Sequence, residues 1–227
     1  MRLHRPMLVA VVALLLAIVA AGCGGDDGGG NVTADGSSTV GPYVTSAAED
    51  FQKANEGLTV TVGISGTGGG FERFCRGETD LSNASRPIKD EEADICAEND
   101  VEYLELQVAN DALTVVVNQE NDWATCLTVE ELGAMWNPGS TVSNWNQVRN
   151  SFPDQPLKLF GPGTDSGTFD YFTGEINGEE GASRTDFSAS EDDNVIVQGV
   201  AGTPGGLGYF GLSYFEENQD TLRAVEI

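Results

Sequence analysis

The chain has 227 residues, of which 36 are acidic and 11 are basic, and its formal net charge is −25. So few basic side chains argue against nucleic acid as a partner, because binding to a phosphate backbone depends on Lys and Arg. The single histidine, His4, lies within the first 22 residues, so the rest of the chain lacks the commonest general base and metal ligand. We therefore exclude His-based catalytic triads and His-ligated metal sites, and we expect neither a metal nor a cofactor.

The N-terminal segment has the pattern of a bacterial lipoprotein signal. A basic start is followed by an apolar run at residues 7–21 and then by Cys23. A transmembrane anchor is the weaker alternative, because the run falls short of the roughly 20 residues that crossing needs. We predict a signal peptide at 1–22, lipidation (palmitate) on Cys23, a flexible tether at 23–30, and an extracytoplasmic protein held on the cell membrane by its lipid alone. Without residues 1–22 the formal charge becomes −27.

Strand-like and helix-like segments alternate along the next part of the chain, which is typical of an α/β fold. The predicted strands cover residues 32–34, 58–64 and 80–84, and the predicted helices cover 43–55, 71–76 and 90–98. Alternating apolar residues predict a further strand at 101–108.

The second half continues this alternation. Its predicted elements are a buried strand at 113–117, a helix from Thr128 to Trp136, a strand at 157–160, a helix that begins near Ser166, buried apolar runs at 195–200 and 207–210, and a last strand at 222–227. Ligands of open α/β sheets bind beyond the carboxyl ends of strands, so groups from both halves can meet only across a cleft. We therefore predict two lobes, at 31–113 and at 114–227, the second including the start of a return toward the first.

Four clusters of hydroxyl and glycine residues lie at the ends of predicted strands. They are 37–39, 65–70, 85–87 and 166–168. The first N–H groups of a helix carry partial positive charge, Ser and Thr add hydroxyl donors, and Gly lets the main chain approach an oxyanion closely. A single cluster is equally well explained as ordinary helix capping. Several clusters in one chain favour a shared anionic ligand.

Three cysteines remain after Cys23. Cys75 and Cys96 fall in successive helical segments, and an exported protein can keep a disulfide, so we predict that these two are joined. Cys126 is then the odd thiol. The absence of a Cys-x-x-Cys pair gives no support to a zinc site or a thioredoxin-like motif.

Six stretches of the sequence occur together, in this order, in one known family; they are 35–40, 63–70, 80–87, 132–145, 163–169 and 206–210. They resemble the PstS-like phosphate-binding lipoproteins of ABC phosphate importers, in the periplasmic-binding-protein superfamily. The resemblance implies a two-lobed α/β fold with mixed sheets flanked by helices, which closes on inorganic phosphate like a venus flytrap. It also implies delivery to a membrane permease, no enzymatic activity and a monomer. Relatives continue beyond the strand at 222–227, so a final return segment is expected to be missing.

The resemblance also implies the residues that hold phosphate. They are Ser38, Thr39 and Val40 in the first cluster, Ser65 and Thr67 in the second, Ser85 in the third, and Ser166, Gly167 and Thr168 in the fourth. Many relatives carry an arginine shortly before Ser166, where this chain has none, and we predict Arg86 as its substitute. The alternative is that Arg86 only pairs with a neighbouring acid. For the aspartate that accepts the phosphate proton in relatives, Asp165 is the candidate, although it can equally be a helix cap.

Other functions fit the sequence less well. The closest alternative is a binding protein for another oxyanion, such as sulfate or molybdate. A phosphate-ester hydrolase with Ser166 or Ser38 as nucleophile lacks a base, since there is no histidine, Ser-x-x-Lys or Gly-x-Ser-x-Gly. A nucleotide-binding loop at 65–70 lacks the required Gly-Lys-Ser/Thr. A surface adhesin is the remaining class.

Overall fold

This computed structural model describes residues 30–227, so the predicted signal peptide and Cys23 lie outside the described residues. The first part contains β1 (Asn31–Gly36), α1 (Gly41–Ala54), β2 (Thr59–Val62), α2 (Gly66–Cys75), β3 (Leu81–Asn83) and α3 (Asp90–Glu98). Its three strands form a parallel sheet in the order β2-β1-β3. The carboxyl ends of the three strands therefore share one edge of this sheet.

A second sheet is built from the rest of the chain. The elements are β4 (Leu113–Asn118), α4 (Val129–Trp136), α5 (Trp145–Val148), β5 (Lys158–Pro162), α6 (Gly167–Asn177), β6 (Ser188–Ser190), α7 (Asp193–Ala201), β7 (Gly206–Gly211), α8 (Leu212–Glu217) and β8 (Leu222–Ala224). The strand order is β6-β5-β7-β4-β8. β5 is parallel to β6 and β7, and β4 is antiparallel to β7 and β8. The mixed α/β architecture with two helix-flanked sheets is thus confirmed. We call residues 31–98 the first half and residues 113–227 the second half.

The hydrophobic core lies in the second half. Both clusters of buried apolar side chains are drawn from residues between Val115 and Val225. Trp136 is fully buried, and its ring meets those of Phe172, Phe187 and Tyr209 edge-on, with centroids 5.1–5.6 Å apart. This core fixes β5 and α6, which carry the fourth cluster.

The structure corrects two sequence predictions. The glycines at 66–70 are not a loop before a helix at 71–76, because α2 begins at Gly66. A Cβ on Gly70 would lie 2.6 Å from the Cα of Gly36, so close packing against β1 outweighs the weak helix propensity of glycine. The predicted strand at 101–108 is wrong as well. That stretch forms no strand and pairs with no described strand, and Leu104 is 80% exposed.

A disulfide joins Cys75, at the end of α2, to Cys96 in α3, while Cys126 is free and exposed. We expect the double variant Cys75→Ser, Cys96→Ser to lose about 3 kcal/mol of unfolding free energy, because the cross-link restricts the unfolded chain. Urea unfolding monitored by circular dichroism measures this loss. Cys126→Ser is the matched control and should change the midpoint very little. Equal midpoints for the double variant and its parent would contradict the prediction.

Candidate functional site

The predicted anion-binding clusters lie next to one another at one end of the structure. Ser65, which precedes α2, donates its N–H to the carbonyl of Gly36 at the end of β1, with an N–O distance of 3.1 Å. Across the two halves, the N–H of Gly68 in α2 donates to the carbonyl of Asp165, 2.7 Å away. The ends of β1, β2 and β5, and the starts of the helices that follow them, therefore converge.

The third cluster joins the same group. The hydroxyl oxygens of Thr67 and Ser85 are 3.0 Å apart, and the N–H of Ser85 donates to Thr67 Oγ1 at 3.2 Å. Ser85 also touches Gly167 so closely that a Cβ on Gly167 would collide with the Ser85 hydroxyl. The hydroxyl groups of Thr67 and Ser85 thus bind each other and form part of the wall between the halves.

The helix starts combine missing side-chain caps with hydroxyl groups that can donate. Neither α1, which begins after Val40, nor α2, which begins after Ser65, has a side-chain cap. Ser65 Oγ is buried and has no hydrogen-bond partner among the described residues. Ser166 caps α6 by accepting the N–H of Thr168 at 3.1 Å, which leaves its own O–H proton available. Such an arrangement of amide and hydroxyl donors can bind an oxyanion.

The first cluster is tied to the second half by its side chains. Ser38 Oγ donates to Asp193 Oδ1 at 2.9 Å, and the hydroxyl of Tyr214 donates to the carbonyl of Ser38 at 2.9 Å. The predicted role of the Ser38 hydroxyl as a ligand donor is therefore not what the structure shows, because this hydroxyl already donates its hydrogen bond to the buried carboxyl group of Asp193. Thr39 Oγ1 lies 2.9 Å from Ser37 Oγ.

The guanidinium of Arg86 is occupied by acids. Its Nε donates to Asp170 at 2.9 Å, and its two terminal nitrogens donate to the two carboxylate oxygens of Glu92 at 2.8 and 2.7 Å. Lys89 donates to the same Asp170 oxygen at 2.7 Å. The structure thus shows the alternative of a structural ion pair, and this corrects the prediction of Arg86 as a free cation for the ligand. By pairing with Asp170 of α6, Arg86 links the two halves.

Two carboxyl groups at the site were missed in the sequence. Glu191 follows β6, accepts the N–H of Asp165 at 3.3 Å, and has its pKa raised to about 7, mainly by burial. Asp193 starts α7, and burial raises its pKa to about 6. The available signal was the run from Ser188 to Asp193, another hydroxyl-rich and acidic stretch, which covers the short strand β6 and leads into α7. Asp165 itself is exposed, and its carbonyl rather than its carboxylate makes the contact with Gly68.

The surroundings of the site add two observations. A cleft of about 400 Å³ beside the first cluster is lined by both halves, including Gly41, Ile64 and Tyr214, but by none of the predicted ligand residues. Within residues 30–227, no three His, Cys, Asp or Glu side chains are grouped so that they could hold a metal ion. In the same range, every helix is too short or too polar to cross a membrane.

Comparison with known proteins identifies the family. The profile described as "PBP superfamily domain" matches residues 22–226. The chain is 53% identical over 198 residues to Protein SphX of Synechococcus elongatus. The aligned region covers 86% of this chain and 58% of that protein. It is 42% identical over 198 residues to the phosphate-binding protein PstS of Staphylococcus saprophyticus, covering 87% and 60% of the two chains. The chain thus spans about three fifths of the length of these curated relatives.

Solved structures agree with this assignment. A protein from Planctomyces limnophilus, described as a possible phosphate binding protein, is 49% identical, with a TM-score of 0.54 over 87% of this chain and 69% of that one. A phosphate ABC transporter substrate-binding protein from Clostridium perfringens, solved with bound phosphate, has the same fold at 24% identity. Its TM-score is 0.72, over 86% of this chain and 75% of that one. The profile match over nearly the whole described chain shows that this protein belongs to the periplasmic-binding-protein (PBP) superfamily.

Proposed function

We propose that the chain is the substrate-binding component of an ABC phosphate importer. It captures inorganic phosphate between the lobes at 31–113 and 114–227 and delivers it to a membrane permease. It acts outside the cytoplasm, attached through a lipid on Cys23 after removal of residues 1–22, and it is a monomer without enzymatic activity. The curated relatives named PstS and the 53% identity to SphX support this assignment.

The observation that carries the proposal is the convergence of helix starts from both halves beside the buried Ser65 hydroxyl, which has no hydrogen-bond partner among the described residues. The starts of α1 and α2 lack a side-chain cap, and the start of α6 is capped by Ser166. We assign the phosphate oxygens to donors on both sides. The first half supplies the backbone around Thr39 and Val40, and the Ser65 hydroxyl. The second half supplies the Ser166 hydroxyl and the start of α6 at Gly167 and Thr168. Thr67, Ser85 and Arg86 hold these groups in place through the contacts described above.

The acidity of the chain does not oppose this assignment. Interactions between exposed charges are screened beyond about 10 Å at ordinary salt concentrations. Amide and hydroxyl dipoles at a partly buried site act over hydrogen-bond distances, where the field of distant carboxylates is weak. The local donors therefore decide which ligand binds. The excess acidic residues are better explained by solubility.

Calorimetric titration of the chain with inorganic phosphate tests the proposal. We expect one-to-one binding in the micromolar range or tighter, and we expect Ser65→Ala to weaken it about tenfold, because a charge-assisted hydrogen bond of roughly 1.5–3 kcal/mol is lost. The matched control is Ser151→Ala, since Ser151 is exposed in a loop outside the site. An unchanged affinity in Ser65→Ala would remove Ser65 from the ligand set.

Titration with other oxyanions and an assay of phosphate-ester hydrolysis separate the alternative functions. Tighter binding of sulfate or molybdate than of phosphate would assign the site to another oxyanion. Hydrolysis of a phosphate ester that is lost in Ser166→Ala would show an enzyme instead. An absence of heat with every anion would refute the binding function.

A further inference from the structure

Asp35 is a buried acidic residue at the end of β1, shortly before the first cluster. Its side chain is only 3% exposed. Its Oδ1 accepts the N–H of Gly36 at 2.7 Å, and the carbonyl of Gly36 accepts the N–H of Ser65. A buried negative charge therefore lies next to the strand end from which the donors of the first half extend.

The carboxyl group of Asp35 also packs against the turn that follows β2. A Cβ on Gly63 would lie 2.9 Å from the Cγ of Asp35, which is closer than real side chains approach, so the carboxyl group fits here because residue 63 is glycine. Gly63 lies two residues before Ser65, whose hydroxyl belongs to the proposed ligand set. Asp35 thus contacts the chain beside both the first and the second cluster.

A single cation pairs with this carboxylate. Nη1 of Arg73, in the last turn of α2, donates to Asp35 Oδ2. Among the ion pairs formed by residues 30–227, no other includes Asp35. Arg73 is half-exposed, and its Nε lies 3.5 Å from the exposed carboxylate of Glu78. Because an isolated buried charge is strongly unfavourable, Arg73 is the group that compensates Asp35.

A buried carboxylate acts on a bound anion differently from the exposed acids of the chain. Salt screens exposed charges, but it screens a buried charge much less. Electrostatic interactions are also stronger where water is excluded. Without its cation, Asp35 would therefore repel an anion held by the Val40 backbone and the Ser65 hydroxyl.

We propose that Arg73 sets the affinity of the site for phosphate without contacting the ligand, by neutralising the buried carboxylate of Asp35. Arg73 is then a positioning residue that acts through Asp35. The proposal rests on the proposed function, because it concerns the same anion site. It requires that the two partners of the ion pair have opposite effects on binding, since loss of Arg73 leaves a repulsive charge and loss of the Asp35 charge removes it.

Three variants of the full chain, titrated calorimetrically with inorganic phosphate, test this requirement. Arg73→Met should weaken binding at least tenfold, because a buried carboxylate is left unpaired. Asp35→Asn keeps an acceptor for the N–H of Gly36 and should bind phosphate at least as tightly as the parent. The double variant should bind within about threefold of the parent, because the charge and its counter-ion are removed together.

Arg76→Met is the matched control. Arg76 follows α2 and pairs at 2.6 Å with Glu72, whose side chain is exposed. The variant therefore removes the same charge from the same helix end without leaving a buried acid unpaired, and its affinity should equal that of the parent. Arg73→Lys keeps the charge and should retain most of the affinity that Arg73→Met loses. Circular dichroism and thermal unfolding establish which variants are folded.

The outcomes separate this proposal from its rivals. An unchanged affinity in Arg73→Met, or an equal loss in Arg76→Met, overturns it. A double variant as weak as Arg73→Met also overturns it, because Arg73 would then be a ligand or a purely structural residue. If Arg73→Met does not fold, Asp35→Asn decides, since a loss of affinity there overturns the proposal and binding as tight as in the parent supports it. A parent that does not bind phosphate overturns the proposed function and this proposal with it.

Discussion

Replacing Gly66 by alanine is expected to weaken phosphate binding at least tenfold. Gly66 has a φ of +79°, a left-handed conformation that costs other L-residues roughly 1–2 kcal/mol. A Cβ there would also lie 2.6 Å from Glu191 Oε2 and 3.0 Å from the backbone of Asp165, both in the opposite half. The Glu191 side chain can turn aside, but relief of the contact with the Asp165 backbone shifts the start of α2 against the turn before α6, and a shift of the donors lowers the affinity. Calorimetric titration with phosphate measures the effect.

Gly77 provides the matched control for backbone strain. Its φ is +72°, and a Cβ at this position would meet no atom within 4 Å. Gly77→Ala therefore carries the same conformational cost, of about 1–2 kcal/mol, without a contact between the halves. Thermal unfolding should show a loss in both variants, at least as large in Gly66→Ala as in Gly77→Ala, while only Gly66→Ala loses affinity. Equal affinities in both would mean that contact between the halves at Gly66 is unimportant for binding.

Truncation of Trp136 to alanine is expected to lower the unfolding free energy by about 3–5 kcal/mol, as for other large buried aromatic side chains. Trp136 has no exposed surface, and three aromatic rings pack against it. The cavity would lie beside α6 and β7, whose side chains Phe172 and Tyr209 are stacked at 3.7 Å between centroids. The second half should therefore lose order, including the start of α6 at the site.

Urea unfolding followed by tryptophan fluorescence and circular dichroism measures this loss. Tyr171→Ala is the control, because Tyr171 lies on the same helix as Phe172 but is 61% exposed. Its effect should stay within about 0.5 kcal/mol. A loss of less than about 1 kcal/mol in Trp136→Ala would show that the core of the second half does not depend on this ring.

Much of the architecture could be predicted because local signals and tertiary structure agree. Thr128 and Glu131 form the predicted capping box of α4, and the run at 113–117 is the buried strand β4. The positions of the hydroxyl and glycine clusters at strand ends were also predictable, since turn and cap preferences act over a few residues. The convergence of the first three clusters follows from the shared carboxyl edge of β1, β2 and β3, whereas the fourth cluster follows β5 of the other sheet and meets them through contacts between the halves.

The failed predictions depend on contacts between distant residues. Arg86 meets Asp170, which is 84 positions away, and Ser38 meets Asp193, which is 155 positions away. Local sequence cannot reveal such partners. Glu191 was missed because its carboxyl group becomes distinctive only when Gly66 and Gly163 leave space for it. The stretch at 101–108 has the alternation of a strand, but a strand also needs a hydrogen-bonded neighbour, and the described residues supply none.

A crystal structure of the chain grown with inorganic phosphate tests the central claim most directly. The account predicts one phosphate between the halves, within hydrogen-bond distance of the Val40 N–H and the Ser65 hydroxyl on one side and of the Ser166 hydroxyl on the other. Phosphate held by one half alone, or bound away from these helix starts, would contradict it.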